Sequence, residues 1–416
     1  MKSDLPELMR RRNLDALMIS CPDGLAPVNT AFRYFIGSAH VTHGHILIIR
    51  RGHEADLDCV LAHTAMERDE AARSGLRLHN LSQYDMREIY RSVDGDRLEA
   101  QVELIRRLFG DLGVRGRVGF YGLDERGAAY LLLDALAKAG FVEVVVEYEN
   151  DILSEARSTK DAAEVAHIRQ ACQLTEQVIG ATREFLRSHR IRGETLIRPN
   201  GEPLTVGDVK AFIRREEASL GLEDAGCIFA IGRDAGVPHS VGTASDVIQL
   251  GRTIVFDIFP RLPSGYHADI TRTWCLGYAP DEVWQAYSLV QEVHDHVEGM
   301  LDSRRPSWEY NELACDLFEA RGHPTPRLTP GTTEGYVHSL GHGFGLAVHE
   351  APSMRLKALT GHDAPLPAGS VITNEPGLYY PDKGWGVRLE DDYWLNSDGS
   401  VERLTTFDRA LVIPLE

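Results

Sequence analysis

The segment RTIVFDIFPRLPSGYHADITRTW, residues 252–274, limits how this chain can fold more than any other stretch. Two β-rich runs flank Pro260–Gly265, whose Pro and Gly content signals a reversal. Asp257 and Asp269 stand equidistant from Pro263. A hairpin centred there makes them cross-strand neighbours, with Cβ atoms about 4.5–5.5 Å apart. Two bare carboxylates that close repel, so the arrangement demands a cation or a shared proton. The construction recurs in SVITNEPGLYYPDKGWGVRLEDDYWL, residues 370–395. There Pro381–Gly384 is the turn, and Glu375 and Glu390 are equidistant from the Asp382/Lys383 midpoint. One such pair reads as solvated acids on a strand. Two, each embedded in apolar strand residues, read as a built site.

Between the pairs lies YVHSLGHGFGLAVHEAP, residues 336–352, with His338, His342 and His349. Its glycines do not make G-x-G-x-x-G, because position 346 is Leu, which disfavours a dinucleotide loop. His349-Glu350 lacks the second His of H-E-x-x-H, so a zincin helix is also excluded. Four carboxylates with one imidazole are a mainly oxygen donor set, suited to Mn²⁺, Co²⁺, Fe²⁺ or Zn²⁺. Charge balance favours two divalent ions. Metals paired about 3.5–4 Å apart both activate water and polarise a carbonyl.

The charge of the whole chain narrows the partners. Lys+Arg number 44 against 62 Asp+Glu, a net charge of −18 over 416 residues. Such a surface repels phosphate backbones and anionic lipid, so neither nucleic acid nor membrane is an expected partner. The six cysteines are scattered without a Cys-x-x-Cys, as suits a reducing cytosol. The opening MKSDLPELMRRRNLDALMIS has no signal-peptide character, and no apolar run approaches the length of a membrane span. A soluble, cytoplasmic protein is expected.

The first 150 or so residues alternate strand-like runs (Ala16–Ser20, His45–Ile49, Val144–Val146) with helical periodicity at Glu99–Phe109 and Arg126–Ala139, an α/β pattern. Charge rises over Glu147–Lys160, a boundary signal, and Ser158 with Asp161 resembles a capping box. The following helix keeps Val165, Ile168, Cys172, Ile179 and Leu186 on one face, and further helices are expected at Val206–Arg215 and Asp281–Leu301. His294 and His296 lie two apart on the last of these and read as solvated surface; His43 and His45 read as structural, and Trp274, Trp284 and Trp385 as core or rim.

Asp257, Asp269 within ADITRT, His342, Glu375 within NEPGLY and Glu390 within GVRLED resemble, in chain order, the ligands of the pita-bread metallopeptidases. That family includes methionine aminopeptidase, aminopeptidase P, prolidase and the non-peptidase creatinase. The resemblance covers residue 155 or so to the end. Leu14–Ser20 with RYFIG, and the ARSTKDAAEVAHIRQA segment, are similar to the creatinase-type N-terminal domain and its junction. It implies an α+β protein: an α/β domain over 1–153, then a pita-bread catalytic domain over 154–416. It also implies a homodimer and two divalent ions per chain, Mn²⁺ first, with Asp257 on one, His342 and Glu375 on the other, and Asp269 and Glu390 bridging. Glu375 would shuttle the proton of a metal-bridging hydroxide. His239 and His349 would contact the scissile carbonyl, with His338, Arg388 and Tyr379 in support. The implied activity is hydrolysis of the Xaa-Pro bond in di- or short peptides, with proline in the second position. One departure stands out: Asp257 and Asp269 are 12 positions apart, where 11 is usual in the family. That leaves room for a non-peptidase on the same fold, such as a dimethylsulfoniopropionate lyase, and a non-catalytic peptide-binding module stands further off.

Overall fold

The structure is a computed structural model and describes residues 1–22, 24–26, 28–50, 57–360 and 364–415. It divides into two compact units, Met1–Arg157 and Ser158–Glu416. The expected division at 153/154 falls inside the helix Ile152–Arg157, so the boundary lies at that helix's end.

The first unit is built on a six-stranded sheet in the order Arg77–Asn80, Leu57–His63, Gly44–Arg50, Ala16–Cys21, Arg117–Gly122, Glu143–Val145. Only Gly44–Arg50 runs against the rest. The helices Arg97–Leu112 and Arg126–Ala139 bury Val102, Ile105, Leu108, Phe109 and Leu136 with Met18, Leu47 and Val118 of the sheet. This is the α/β layering that alternating strand and helix patterns dictate.

The second unit opens with the helix Ala162–Arg187, whose residues Val165, Ile168, Cys172, Ile179 and Leu186 are all buried. Its N-cap corrects the expected Ser158–Asp161 pairing. Asp161 is the cap, accepting from Ala163 N and Glu164 N at 2.9 Å, while Glu164 Oε2 accepts from Asp161 N. Lys160 N–H is spent on Gly369 O, so the helix begins only after it. Among the described residues the longer helices that follow are Val206–Ser219, Asp281–Met300 and Trp308–Ala320, with a single turn at Lys357–Thr360. The strands form a four-stranded sheet (Val412–Ile413, Ile270–Leu276, Thr253–Ile258, Cys227–Ile231) and a five-stranded one (Glu350–Met354, Gly341–Gly343, Val371–Asn374, Asp391–Leu395, Val401–Arg403). Two two-stranded ribbons accompany them, Arg190–Arg192 with Thr195–Ile197 and Gly377–Tyr380 with Trp385–Arg388. Val290, Val293, Tyr310 and Phe318 of the helices pack with Leu378, Val387 and Tyr393 of the strands. Among the described residues no helix is long and apolar enough to cross a membrane.

His294 departs from the expected surface position. It is fully buried, with Nε2 3.5 Å from Asp391 Oδ2, while His296 is exposed. Two residues apart on a helix means about 200° of rotation, so one ring faces the core when the other faces water.

Candidate metal centre

Each acidic pair is delivered by a hairpin, and the two turns differ in register. In the second, Gly377 faces Arg388 and Tyr380 faces Trp385. The loop Pro381–Gly384 is closed by Gly384 N to Pro381 O, with Gly384 at φ +79°. Leu389 N continues the pairing onto Pro376 O, which leaves Glu375 and Glu390 flanking the end of the ribbon as their symmetry requires.

In the first hairpin Asp257 faces Thr271, not Asp269. Asp269 lies two positions along, beyond the strand Ile270–Leu276, and is therefore a diagonal neighbour of Asp257 on the same face. The cause is the turn. Proline pre-sets the φ of the second residue of a turn, so Pro263 starts the reversal and does not centre it. Gly265 N donates to Leu262 O, Leu262 N donates to Tyr266 O, and Gly265 takes φ +98°. The loop is Pro263-Ser264-Gly265, and Ser264 is its midpoint.

Asp269, His342 and Glu390 bring one donor atom each within 4.8 Å of one another. Glu375 meets this group through His342, whose Nε2 is 3.3 Å from Glu375 Oε1 and 3.8 Å from Asp269 Oδ2. The His342 Nδ1 faces Gly343 O at 3.2 Å, an atom that only accepts, so the proton sits there. Nε2 is consequently aimed at two carboxylates, and either a proton on it or a metal cation between them must balance their charge.

Asp257 is held from the other side. Arg388 donates to its Oδ2, and its Oδ1 is buried without a partner. The same guanidinium donates to Tyr379 Oη at 2.9 Å, to Pro238 O at 3.3 Å and to Thr271 Oγ1 at 3.1 Å. Thr271 Oγ1 in turn donates to Glu390 Oε2 at 2.6 Å. Because Ser339 O claims the Nδ1 proton of His338, its Nε2 accepts from Tyr379 Oη at 2.8 Å. A directed chain thus runs from Arg388 through Tyr379 to His338. His349 stands edge-on to His342, ring centroids 4.4 Å apart, and both His349 and His239 are exposed to solvent.

Charge reinforces the geometry. Burial, then the neighbouring carboxylates Glu390 and Asp257, push Asp269 well up; burial and Glu375 do the same to Glu390. Asp257 is raised chiefly by burial, against the pull of Arg388. Burial would raise Glu375 too, but hydrogen bonding and charge from His342 outweigh it and hold it low. Crowded, buried acids of this kind await a compensating cation. The orphaned Asp257 Oδ1, the aimed Nε2 of His342 and the oxygen-rich donor set all fit a divalent metal.

Sequence reasoning missed Thr271 and Arg272. Arg272 is buried, and its NH1 donates to Glu390 O at 2.6 Å while its NH2 donates to Asp391 Oδ1 at 2.8 Å. It also missed Lys160, whose buried Nζ lies 3.4 Å from Glu350 Oε2 beneath the glycine-rich segment. Both Thr271 and Arg272 lie inside ADITRT, so the motif itself was the available signal.

The sequence model of metallopeptidase family M24 matches residues 166–397, more than half of the chain. The chain belongs to metallopeptidase family M24. It is 26% identical over 410 residues to the Xaa-Pro dipeptidase of Pyrococcus horikoshii, covering 98% of this chain and 97% of that one. It is 28% identical over 284 residues to the probable dipeptidase PepE of Mycobacterium tuberculosis, 68% of each chain. Its fold matches the X-Pro aminopeptidase of Thermotoga maritima with a TM-score of 0.74 and 22% identity, over 98% of this chain and 99% of that one. The prolidase of Pyrococcus horikoshii gives a TM-score of 0.71 and 24% identity, over 99% of each. M24 membership makes the chain a metallopeptidase and implies divalent metal at the acidic cluster.

Proposed function

We infer that this M24 enzyme hydrolyses the Xaa-Pro bond of dipeptides or short peptides, using two divalent ions per chain. The observation that supports it most is the convergence of Asp257, Asp269, His342, Glu375 and Glu390 from two hairpins and a short strand, in a chain whose full-length relative is named Xaa-Pro dipeptidase. When bound, the metal supplies Lewis-acid activation of water and of the scissile carbonyl.

The chain's own groups do the rest. Asp257, Asp269, His342, Glu375 and Glu390 would hold the two ions, Asp257 on one, His342 and Glu375 on the other, and Asp269 and Glu390 shared between them. Glu375 accepts the proton of the attacking water and returns it to the leaving nitrogen. His239 and His349 offer N–H groups to the developing oxyanion. Arg388 fixes the Asp257 carboxylate, and Tyr379 passes that order on to His338. The reading carries with it Mn²⁺ ahead of Co²⁺, Zn²⁺ and Fe²⁺, a homodimer, and a cytoplasmic setting.

The test is to strip the protein with chelator, restore each metal separately, and offer an Xaa-Pro dipeptide and an Xaa-Pro-Xaa tripeptide. Metal-restored release of the first residue is expected, and Glu375→Gln should lower kcat by about 10²–10⁴-fold. No release from either peptide by metal-loaded protein would overturn the proline reading.

A further inference from the structure

The N-terminal unit has a cavity of its own. From the carboxyl end of Ala16–Cys21 the chain turns to one side of the sheet, toward Gly44–Arg50, and it later returns on the other side at Arg117–Gly122. Where connections part in this way, an open α/β sheet leaves a crevice beyond the carboxyl ends of its strands, the habitual place for a ligand. A cavity of about 490 Å³ lies there, within the roughly 300–1,000 Å³ of small-molecule sites. Ser20 from one strand end and Asp124 from beyond the other line it, with Thr64 and His45 between. Gly122 permits the close approach. It takes φ +114°, and a Cβ there would stand 2.1 Å from Ser20 O.

The lining chooses the ligand's chemistry. No lysine or arginine is among the described residues of the wall, so an anion finds no countercharge. Burial, then His43, push His45 down to about 4, so the imidazole is neutral at pH 7, with Nδ1 3.1 Å from Ser20 Oγ. The hydroxyl of Thr64 is buried and unpartnered. Leu81, Leu104 and Leu132 make an apolar side, and the carboxylate of Asp124 stands exposed at the rim. An apolar wall, a neutral hydrogen-bonding floor and an acid at the mouth fit one class of molecule.

We propose that this cavity binds a small organic amine, its apolar body against Leu81, Leu104 and Leu132 and its ammonium paired with Asp124. The described residues that line it all belong to Met1–Arg157.

Phenethylamine, 2-phenylethanol and phenylacetate share one body and differ in head charge, so they separate the possibilities. Met86 lines the cavity and reports binding through its labelled methyl group in NMR of the full, metal-loaded chain, assigned with Met86→Leu. A saturable Met86 shift is expected with phenethylamine at a Kd of about 1 mM or below, and at least about tenfold weaker binding of phenylacetate. Asp124→Asn should erase the preference for amine over alcohol. Ala128→Phe, at an exposed helical position on the wall, should remove the Met86 response to all three. Both variants should retain peptidase activity. The proposal is overturned by no saturable shift up to about 10 mM amine, by phenylacetate binding as tightly, by an amine preference that survives Asp124→Asn, or by a Met86 response that survives Ala128→Phe.

Discussion

Thr271 does more for the acidic cluster than its size suggests. Its hydroxyl donates to Glu390 and accepts from Arg388, which itself grips Asp257, so one oxygen ties the two acidic pairs together. Thr271→Val keeps the shape and removes both bonds. A lost hydrogen bond to a charged group is worth about 1.5–3 kcal/mol. Groups that orient metal ligands typically cost about 10–100-fold in affinity or activity when removed. We expect kcat/KM and metal affinity to fall within that range and Thr271→Ser to restore most of the loss. Unchanged metal affinity in the valine variant would count against the link. Glu217 poses a different question at the same scale. It is 1% exposed on the helix Val206–Ser219, both oxygens lack a partner, and burial with Asp224 raises it to about 7. A carboxyl whose folded pKa is raised binds more protons folded than unfolded. Its contribution to stability therefore falls as pH rises from the unfolded value to about 7, and stays flat above. Glu217→Gln should stabilise the protein by about 1–2 kcal/mol at pH 8, after allowing for solvent reach, and by almost nothing at pH 4. Equal denaturant midpoint shifts at both pH values would show that the charge is not what costs stability.

The hairpins decide what the ligands can reach, and they show where a sequence is readable. Pro381–Gly384 is symmetric, so counting from its midpoint places Glu375 and Glu390 correctly at the ribbon's end. The same counting fails by two residues at Pro263, because a proline opens a turn that ends on Gly265. The parity survives, and with it the shared face of Asp257 and Asp269. The loop Pro263-Ser264-Gly265 lies beyond Leu262 and Tyr266, outside the ladder that carries the aspartates, so its length can change without moving them. Replacing the three by Asn-Gly, which favours a two-residue turn, should leave kcat/KM within about threefold. Loss of peptide cleavage with metal retained would mean that the longer loop serves a different substrate. Helix faces were legible from apolar spacing at Val165–Leu186. Thr271 and Arg272 were not, because their value lies in partners more than a hundred positions away. His294 was misjudged because its neighbours hid a buried face behind polar letters.

At the scale of the molecule, two units with separate cores lie on one chain, and all five candidate ligands belong to Ser158–Glu416. Whatever binds the folded cluster stabilises that unit by mass action, about 2.7 kcal/mol at a hundredfold excess over Kd. Calorimetry with and without chelator should therefore move one transition and leave the transition of Met1–Arg157 in place. A single transition that ignores chelator would refute this. The most direct measurement is metal content against peptide turnover in the purified chain and in Asp269→Asn and Glu390→Gln. The account predicts two divalent ions per chain, cleavage of an Xaa-Pro dipeptide that follows them, and loss of both ions' occupancy in either variant. Full metal binding by both variants, or undiminished cleavage by metal-free protein, would contradict it.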